Sequence, residues 1–338
     1  MRILQAIIEH RQEHKHLYNI GSFFVLLTLA DGIASFALPV YMEQVLKNLS
    51  LVGILFSTSS IFGLLASFLF GCEQKGRTFK SYFLLAFVLS LANFFLAIRA
   101  TSWLSLLLVM ALWGIYYEAI NFGLVEFLNR FSRKWEHAYS SGLVQMFSAL
   151  GYLLGPIVAS LLILRNKEAM KAAIFFMSLA GLVFFWWFGR KKINPKPPKR
   201  RYRLRNEFKV WIRVGRKSFW VLLCSLLLTL FWESLIWSMG PIFLVQVLKE
   251  KSAYVMVCFG LPKVLLQAYA GRWADKKGKK QFLILGLIIA GFFLSFFGFG
   301  NHWFLKALAA MGSAVGASLA WPAADGLLID VVYGRKDE

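Results

Sequence analysis

Apolar residues run through this chain in long blocks, with polar residues collected between them. Ten such blocks lie at 21–46, 51–71, 80–98, 102–128, 138–164, 170–189, 218–247, 252–271, 281–300 and 303–332. A helix needs about 20 consecutive apolar residues to cross the ~30 Å hydrocarbon core of a bilayer, longer than the runs soluble cores use. Each block therefore predicts one membrane-spanning helix, and the fold class is all-α integral membrane. Aromatic residues mark several block ends, as they do at membrane interfaces. Trp103 and Trp303 open the fourth and tenth blocks, and Trp186 and Trp187 close the sixth.

The polar connections are short, with one exception. Residues 190–217 separate six spans (21–189) from four (218–338), and the stretch is dense in Arg and Lys. Pro195, Pro197 and Pro198 bar a continuous helix there. It reads as a cytoplasmic linker lying along anionic lipid headgroups. Residues 1–20 read as a cytosolic segment, because Glu9, Arg11, Glu13 and Lys15 stand where a signal peptide is apolar.

Composition agrees with the blocks. The chain is 58% hydrophobic and 16% charged, against about 25% charged in a soluble domain, which excludes a soluble enzyme. The net charge of +21 suggests nucleic acid in a soluble protein. Here the cations sit between apolar blocks, where they set membrane orientation, and no nucleic-acid partner is expected. Lys75, Arg77, Lys80, Arg130, Arg133, Lys134, Lys276, Lys277, Lys279 and Lys280 fall on one side. The opposite connections hold only Lys47, Arg99, Lys249, Lys251 and Lys306, apart from a mixed turn at 165–171. This asymmetry predicts a multi-pass protein of the cell membrane with both termini in the cytoplasm. Cys72, Cys224 and Cys258 are scattered, with no CxxC spacing, and His10 and His14 read as a solvated helix face. No metal or cofactor is expected. No nucleotide-binding loop, nucleophile elbow or His–acid cluster is present, so neither an enzyme nor ATP-driven transport is predicted.

The two sides of the linker resemble each other. Pro39-Val-Tyr-Met-Glu-Gln-Val-Leu-Lys47 recurs as Pro241-Ile-Phe-Leu-Val-Gln-Val-Leu-Lys249, an offset of 202 (241 − 39). The same offset relates Gly76 to Gly278 and Arg133-Lys134 to Arg335-Lys336. The chain is read as a duplicated unit, a hallmark of secondary transporters. Its second copy holds four spans against six, which reads as incomplete at the C-terminus. A natural ten-span form and a gene fragment both remain open.

Gly271-Arg-Trp-Ala-Asp275-Lys276-Lys-Gly278-Lys279-Lys280, after the eighth span, resembles the G-x-x-x-D-[RK]-x-G-[RK]-[RK] loop of the major facilitator superfamily. The first copy is degenerate: Leu69, Glu73 and Gln74 replace its first three defining residues, while Gly76 and Arg77 survive. The resemblance implies two six-helix bundles, the second here cut to four, around a cavity lined by spans one, four, seven and ten. It also implies that this loop latches against span five when the cytoplasmic side is closed, with Arg133 a candidate partner. The alternative is that these cations only anchor the loop to headgroups. Gly151-Tyr-Leu-Leu-Gly155-Pro156-Ile-Val-Ala159-Ser160 is similar to a proton-antiporter signature of the same family, and its small residues equally suit helix packing. The arginine common in the fourth span of those antiporters is absent from Leu106–Gly123.

Ionisable residues inside spans cost about 2.5–3.5 kcal/mol on insertion scales and mark function. Asp31 and Glu233 lie in spans one and seven at the repeat offset. Glu118 lies in span four beside Tyr117 and Asn121, Lys263 in span eight, and Trp321 and Asp325 in span ten. A carboxyl shielded from water binds a proton more readily, so these acids are candidates for proton coupling and solute contact. Pairing with cations is the competing role, and Lys263 is placed to neutralise Glu233. Gln145 and Gln267 read as helix bridges. The leading expectation is a monomeric, proton-coupled secondary transporter of a small solute working by alternating access, with efflux favoured. A non-transporting scaffold or sensor and an inactive fragment are the alternatives.

Overall fold

The computed structural model describes residues 15–72, 78–132, 137–162, 166–189, 218–299 and 302–333. Among them there is no strand. The helices are α1 (Lys15–Leu46), α2 (Leu49–Cys72), α3 (Phe79–Arg99), α4 (Trp103–Phe131), α5 (His137–Leu162) and α6 (Asn166–Phe184, extended by a π-turn at Phe185–Gly189). After the linker come α7, α8 (Ser252–Lys277), α9 (Lys279–Phe296) and α10 (Trp303–Tyr333). α7 is built from Ser218–Ser234, a π-helical turn at Leu235–Met239, and Gly240–Leu248. Ten helices are long and apolar enough to cross a membrane, one for each predicted block.

The boundaries shift where polar residues continue a helix beyond the hydrocarbon. α1 is already helical at Lys15, inside the segment read as preceding the first span, and α8 runs on to Lys277 rather than stopping at 271. A helix ends where its backbone ceases to be satisfied, not where its apolarity ends. Residues 1–14 and 190–217 lie outside the described residues, as do Gly76, Arg77 and Arg133.

Packing repeats with the sequence. α4 packs on α2 and α3, and α10 packs in the same way on α8 and α9. α1 lies against α5 and α6. It is the most enclosed helix, buried without a break from Leu27 to Val40. α5 joins the two halves, packing along α1 on one side and along α8 and part of α10 on the other. Large apolar residues such as Leu64, Leu161, Leu182 and Trp186 stay exposed on the outer faces. On a soluble protein such faces are an aggregation liability, whereas acyl chains are their natural solvent.

α5 can approach α1 because its facing residues are small. A Cβ added to Gly155 meets the carbonyl carbon of Gly32 at 2.6 Å, and one on Gly151 meets the backbone of Val25 and Leu29 at 2.5 Å. Pro156 sits inside α5 without ending it. Gly151 and Gly155 thus lie against α1, and Pro156 is buried beside them.

Candidate functional site

Asp31 sits at the centre of the first bundle and is wholly buried. Its Oδ1 accepts from the Trp113 indole Nε1 at 3.1 Å. Its Oδ2 accepts from the hydroxyls of Tyr117 (2.8 Å) and Tyr152 (2.5 Å). Trp113 and Tyr117 are four residues apart on α4, so both face α1, and their rings lie nearly parallel with centroids 6.2 Å apart. The Tyr116 hydroxyl is buried beside them without a hydrogen-bond partner. Among the described residues no lysine, arginine or histidine forms an ion pair with Asp31. Three neutral donors satisfy the carboxylate and leave its charge uncompensated, an arrangement suited to a proton or a cationic solute.

Tyr152 links this group to the second bundle. Its ring packs on Trp237 of α7, with centroids 5.0 Å apart. Trp237 lies in the π-helical turn that precedes Gly240-Pro241. Proline offers no N–H and crowds the carbonyl four residues earlier, here that of Trp237, and a widened turn there relieves the clash.

The other candidates fall into separate groups. Glu118 is one residue, or 100° of helix, beyond Tyr117, and it accepts a hydrogen bond from Ser67 of α2 rather than joining Asp31. Asn121 lies on an exposed stretch of α4 with Val125 and is not brought to either acid. Glu233 pairs with Lys263 at 3.2 Å, and the Lys263 ammonium stands 4.9 Å from the Trp232 ring centroid. The repeat-related acids therefore differ: Asp31 has aromatic donors and Glu233 has a cation. The Trp321 indole N–H is buried with no hydrogen-bond partner.

A third cluster closes the end of the molecule that bears the α8–α9 turn. Asp325 of α10 accepts from Ser141 Oγ at 2.6 Å and from Gln145 Nε2, both on α5. Gln145 Oε1 in turn accepts from Gln267 of α8 at 2.9 Å, so these glutamines do bridge the bundles. One turn further, Asp275 Oδ2 accepts the backbone N–H of Tyr139 of α5 at 2.9 Å. The Arg272 guanidinium lies 4.7 Å from the Tyr139 ring. Lys279 reaches both Asp275 (3.2 Å) and Asp330 (2.6 Å), and His137 Nδ1 is 3.7 Å from Asp330. Helix contact here is as close as backbones allow: a Cβ on Gly271 meets the Ala138 oxygen at 2.5 Å. Gly278 makes the turn itself, with φ +112°. Lys276 and Lys280 are exposed.

Sequence reasoning missed three participants. Trp113 and Tyr152 carry no mark beyond lying in spans four and five. Lys306, counted with the sparse connection cations, is wholly buried, donating to the Phe297 carbonyl at 3.0 Å with its ammonium 4.7 Å from the Phe243 ring centroid.

The family model described as "Major Facilitator Superfamily" matches residues 20–254 and 234–336. "Multidrug resistance protein 2" of Bacillus subtilis (strain 168) is 30% identical over 78 residues, 23% of this chain and 20% of that protein. Among solved structures, the human organic anion transporter MFSD10 (TETRAN) aligns with a TM-score of 0.68 at 15% identity, over 94% of this chain and 86% of that one. The nucleoside transporter NupG aligns with a TM-score of 0.62 at 13% identity, over 95% of this chain and 82% of that one. At these identities the likeness to the solved structures is one of fold.

Proposed function

Because this chain belongs to the major facilitator superfamily, we propose that it carries a small solute across the membrane by alternating access, coupled to proton movement. The observation that carries the reading is Asp31, a buried carboxyl held by an indole and two phenols and with no ion-pair partner among the described residues. A carboxylate so placed attracts a proton or an organic cation in turn, and competition for one acid is the simplest form of exchange. Tyr117, Tyr152, Trp113 and Trp237 surround it with flat faces suited to an amphipathic cation. The stretch similar to a protein named for multidrug resistance supports this solute class and the outward direction.

In this reading the basic end is cytoplasmic, as the loop charges imply. The Asp275–Tyr139 contact acts as the latch that holds that side shut, with Lys279 positioning Asp275 from within the second bundle, and Glu233–Lys263 keeps the second bundle's cavity wall neutral. The test is purified protein in liposomes with an imposed pH gradient and ethidium as probe. Gradient-driven ethidium movement is expected for the native chain and its loss for Asp31→Asn. Equal movement in native, Asp31→Asn and protein-free vesicles would overturn the reading in favour of a non-transporting membrane protein.

A further inference from the structure

A carboxyl can tie proton binding to a rearrangement only if its surroundings differ between the two arrangements. Most acids in this chain keep their partners within one bundle. Asp31 is bonded to α4 and α5, and Glu118 to α2, all in the first half. Glu233 is bonded to α8, in the second. When the halves part, these contacts travel with their own bundle.

Three carboxylates instead have partners across the boundary: Asp275, Asp325 and Asp330. Asp275 and Asp330 share Lys279, at 3.2 and 2.6 Å, and a cation at that distance opposes protonation of a carboxylate. Asp325 differs. Its partners are the neutral Ser141 and Gln145 of the opposite bundle, and Gln267 holds the Gln145 amide so that its N–H points at the acid.

Building on the proton-linked reading above, we propose that Asp325 is the carboxyl whose protonation opens the α5–α8–α10 contact, and that Asp31 is not. As a carboxylate it accepts two charge-assisted hydrogen bonds, about twice as strong as neutral ones. As a carboxylic acid it keeps a weaker acceptor and gains a proton to donate, which the Gln145 N–H cannot take up. Proton binding therefore weakens the bonds between the halves at this level, while Lys279 below pairs only with acids of its own half. The charged and histidine side chains on the elements packed around it are Glu233 on α7, Lys263, Arg272, Asp275, Lys276 and Lys277 on α8, Lys279 and Lys280 on α9, His137 on α5, and Lys306 and Asp330 on α10 itself.

The test reads the distance between the halves and needs no solute. In the full chain with Cys72, Cys224 and Cys258 replaced by alanine, spin labels are placed at Ser81→Cys on α3 and Lys277→Cys on α8, and the protein is reconstituted in phosphatidylglycerol-containing nanodiscs. Double electron–electron resonance is recorded from about pH 8 to about pH 5, a range in which shielded carboxyls titrate. The long-distance population is expected to rise several-fold on acidification. Asp325→Asn is expected to show the acid distribution at both ends of the range, Asp325→Glu to restore the response, and Asp31→Asn and His137→Gln to leave it intact. Gln145→Leu, which spares the carboxyl, is expected to enlarge the long-distance population at high pH and serves if Asp325→Asn does not fold. The proposal fails if Asp325→Asn responds as the native chain does, if Gln145→Leu leaves the high-pH distribution unchanged, if Asp31→Asn or His137→Gln abolishes the response, or if the native chain shows none. Failure of the transport reading looks different: no ethidium movement in liposomes, whatever the label distances do.

Discussion

At the scale of single residues, buried polar groups decide what this molecule can do. Asp31 and Lys306 are both wholly enclosed, yet each has its needs met in a different currency. Asp31 takes O–H and N–H donors from three aromatic side chains, and Lys306 takes a backbone carbonyl and two ring faces. Asp31 stood out in the sequence because a charge in an apolar block is rare and costly. Its partners did not, because Trp113 and Tyr152 are ordinary members of apolar blocks until the helices are assembled. Gly278 is the opposite case, since its neighbours Lys277 and Lys279 already belong to two different helices and a turn of one residue demands a conformation that side chains avoid. A Cβ there touches nothing within 4 Å, so Gly278→Ala pays backbone strain alone. The expected cost is about 1–3 kcal/mol, seen as a lower unfolding temperature of the detergent-solubilised protein by light scattering.

At the scale of elements, the helices are fixed by length and apolarity, but their contacts are fixed by where small residues fall. α5 is the pivotal element because it presents Gly151 and Gly155 to α1 and Gly142 to α8 on different faces. Gly142 admits the Gln267 backbone, whose oxygen is 2.6 Å from where a Cβ would stand. Gly155→Leu is expected to force α1 and α5 apart and destabilise the first bundle by at least the ~1–3 kcal/mol typical of overpacking. The corresponding change at the lipid-facing Leu154, Leu154→Ala, is expected to do little. Comparing monodisperse yield and thermal stability of the two variants checks this. α7 shows what periodicity alone misses. Its apolar block predicts one regular helix, whereas Gly240-Pro241 goes with a π-helical turn that sets Trp237 against Tyr152. Pro39, at the equivalent place in α1, lies in regular helix, so the proline alone does not dictate the widening.

For the whole molecule, the halves meet through α5, α8 and α10 at the end that carries the positive loops. Asp275 of α8 accepts the backbone N–H of Tyr139 in α5, and an N–H so aimed favours a negative charge there. Asp275→Asn keeps the shape and loses the charge for Lys279 and for that N–H. With labels at Ser81→Cys and Lys277→Cys, this variant is expected to enlarge the long-distance population at every pH while retaining the pH response, since Asp325 is untouched. Distance distributions recorded beside those of the native chain check both parts. The loop motif was legible because its glycines and charges have fixed spacing. Its docking partner was not, since a backbone N–H carries no trace in the sequence.

The sequence by itself determined the medium, the ten crossings, the two related halves, the family and the acids worth attention. All of these follow from local quantities: run length, repeat offset, and charge placed where charge is expensive. Only the tertiary structure decided which acid is neutral-bonded, which is cation-paired and which spans the two halves. Asp31, Glu233 and Asp325 are equivalent as letters in apolar helices. Their separate roles arise because hydrogen bonds and ion pairs act over a few ångströms between residues that the chain places 30 to 184 positions apart.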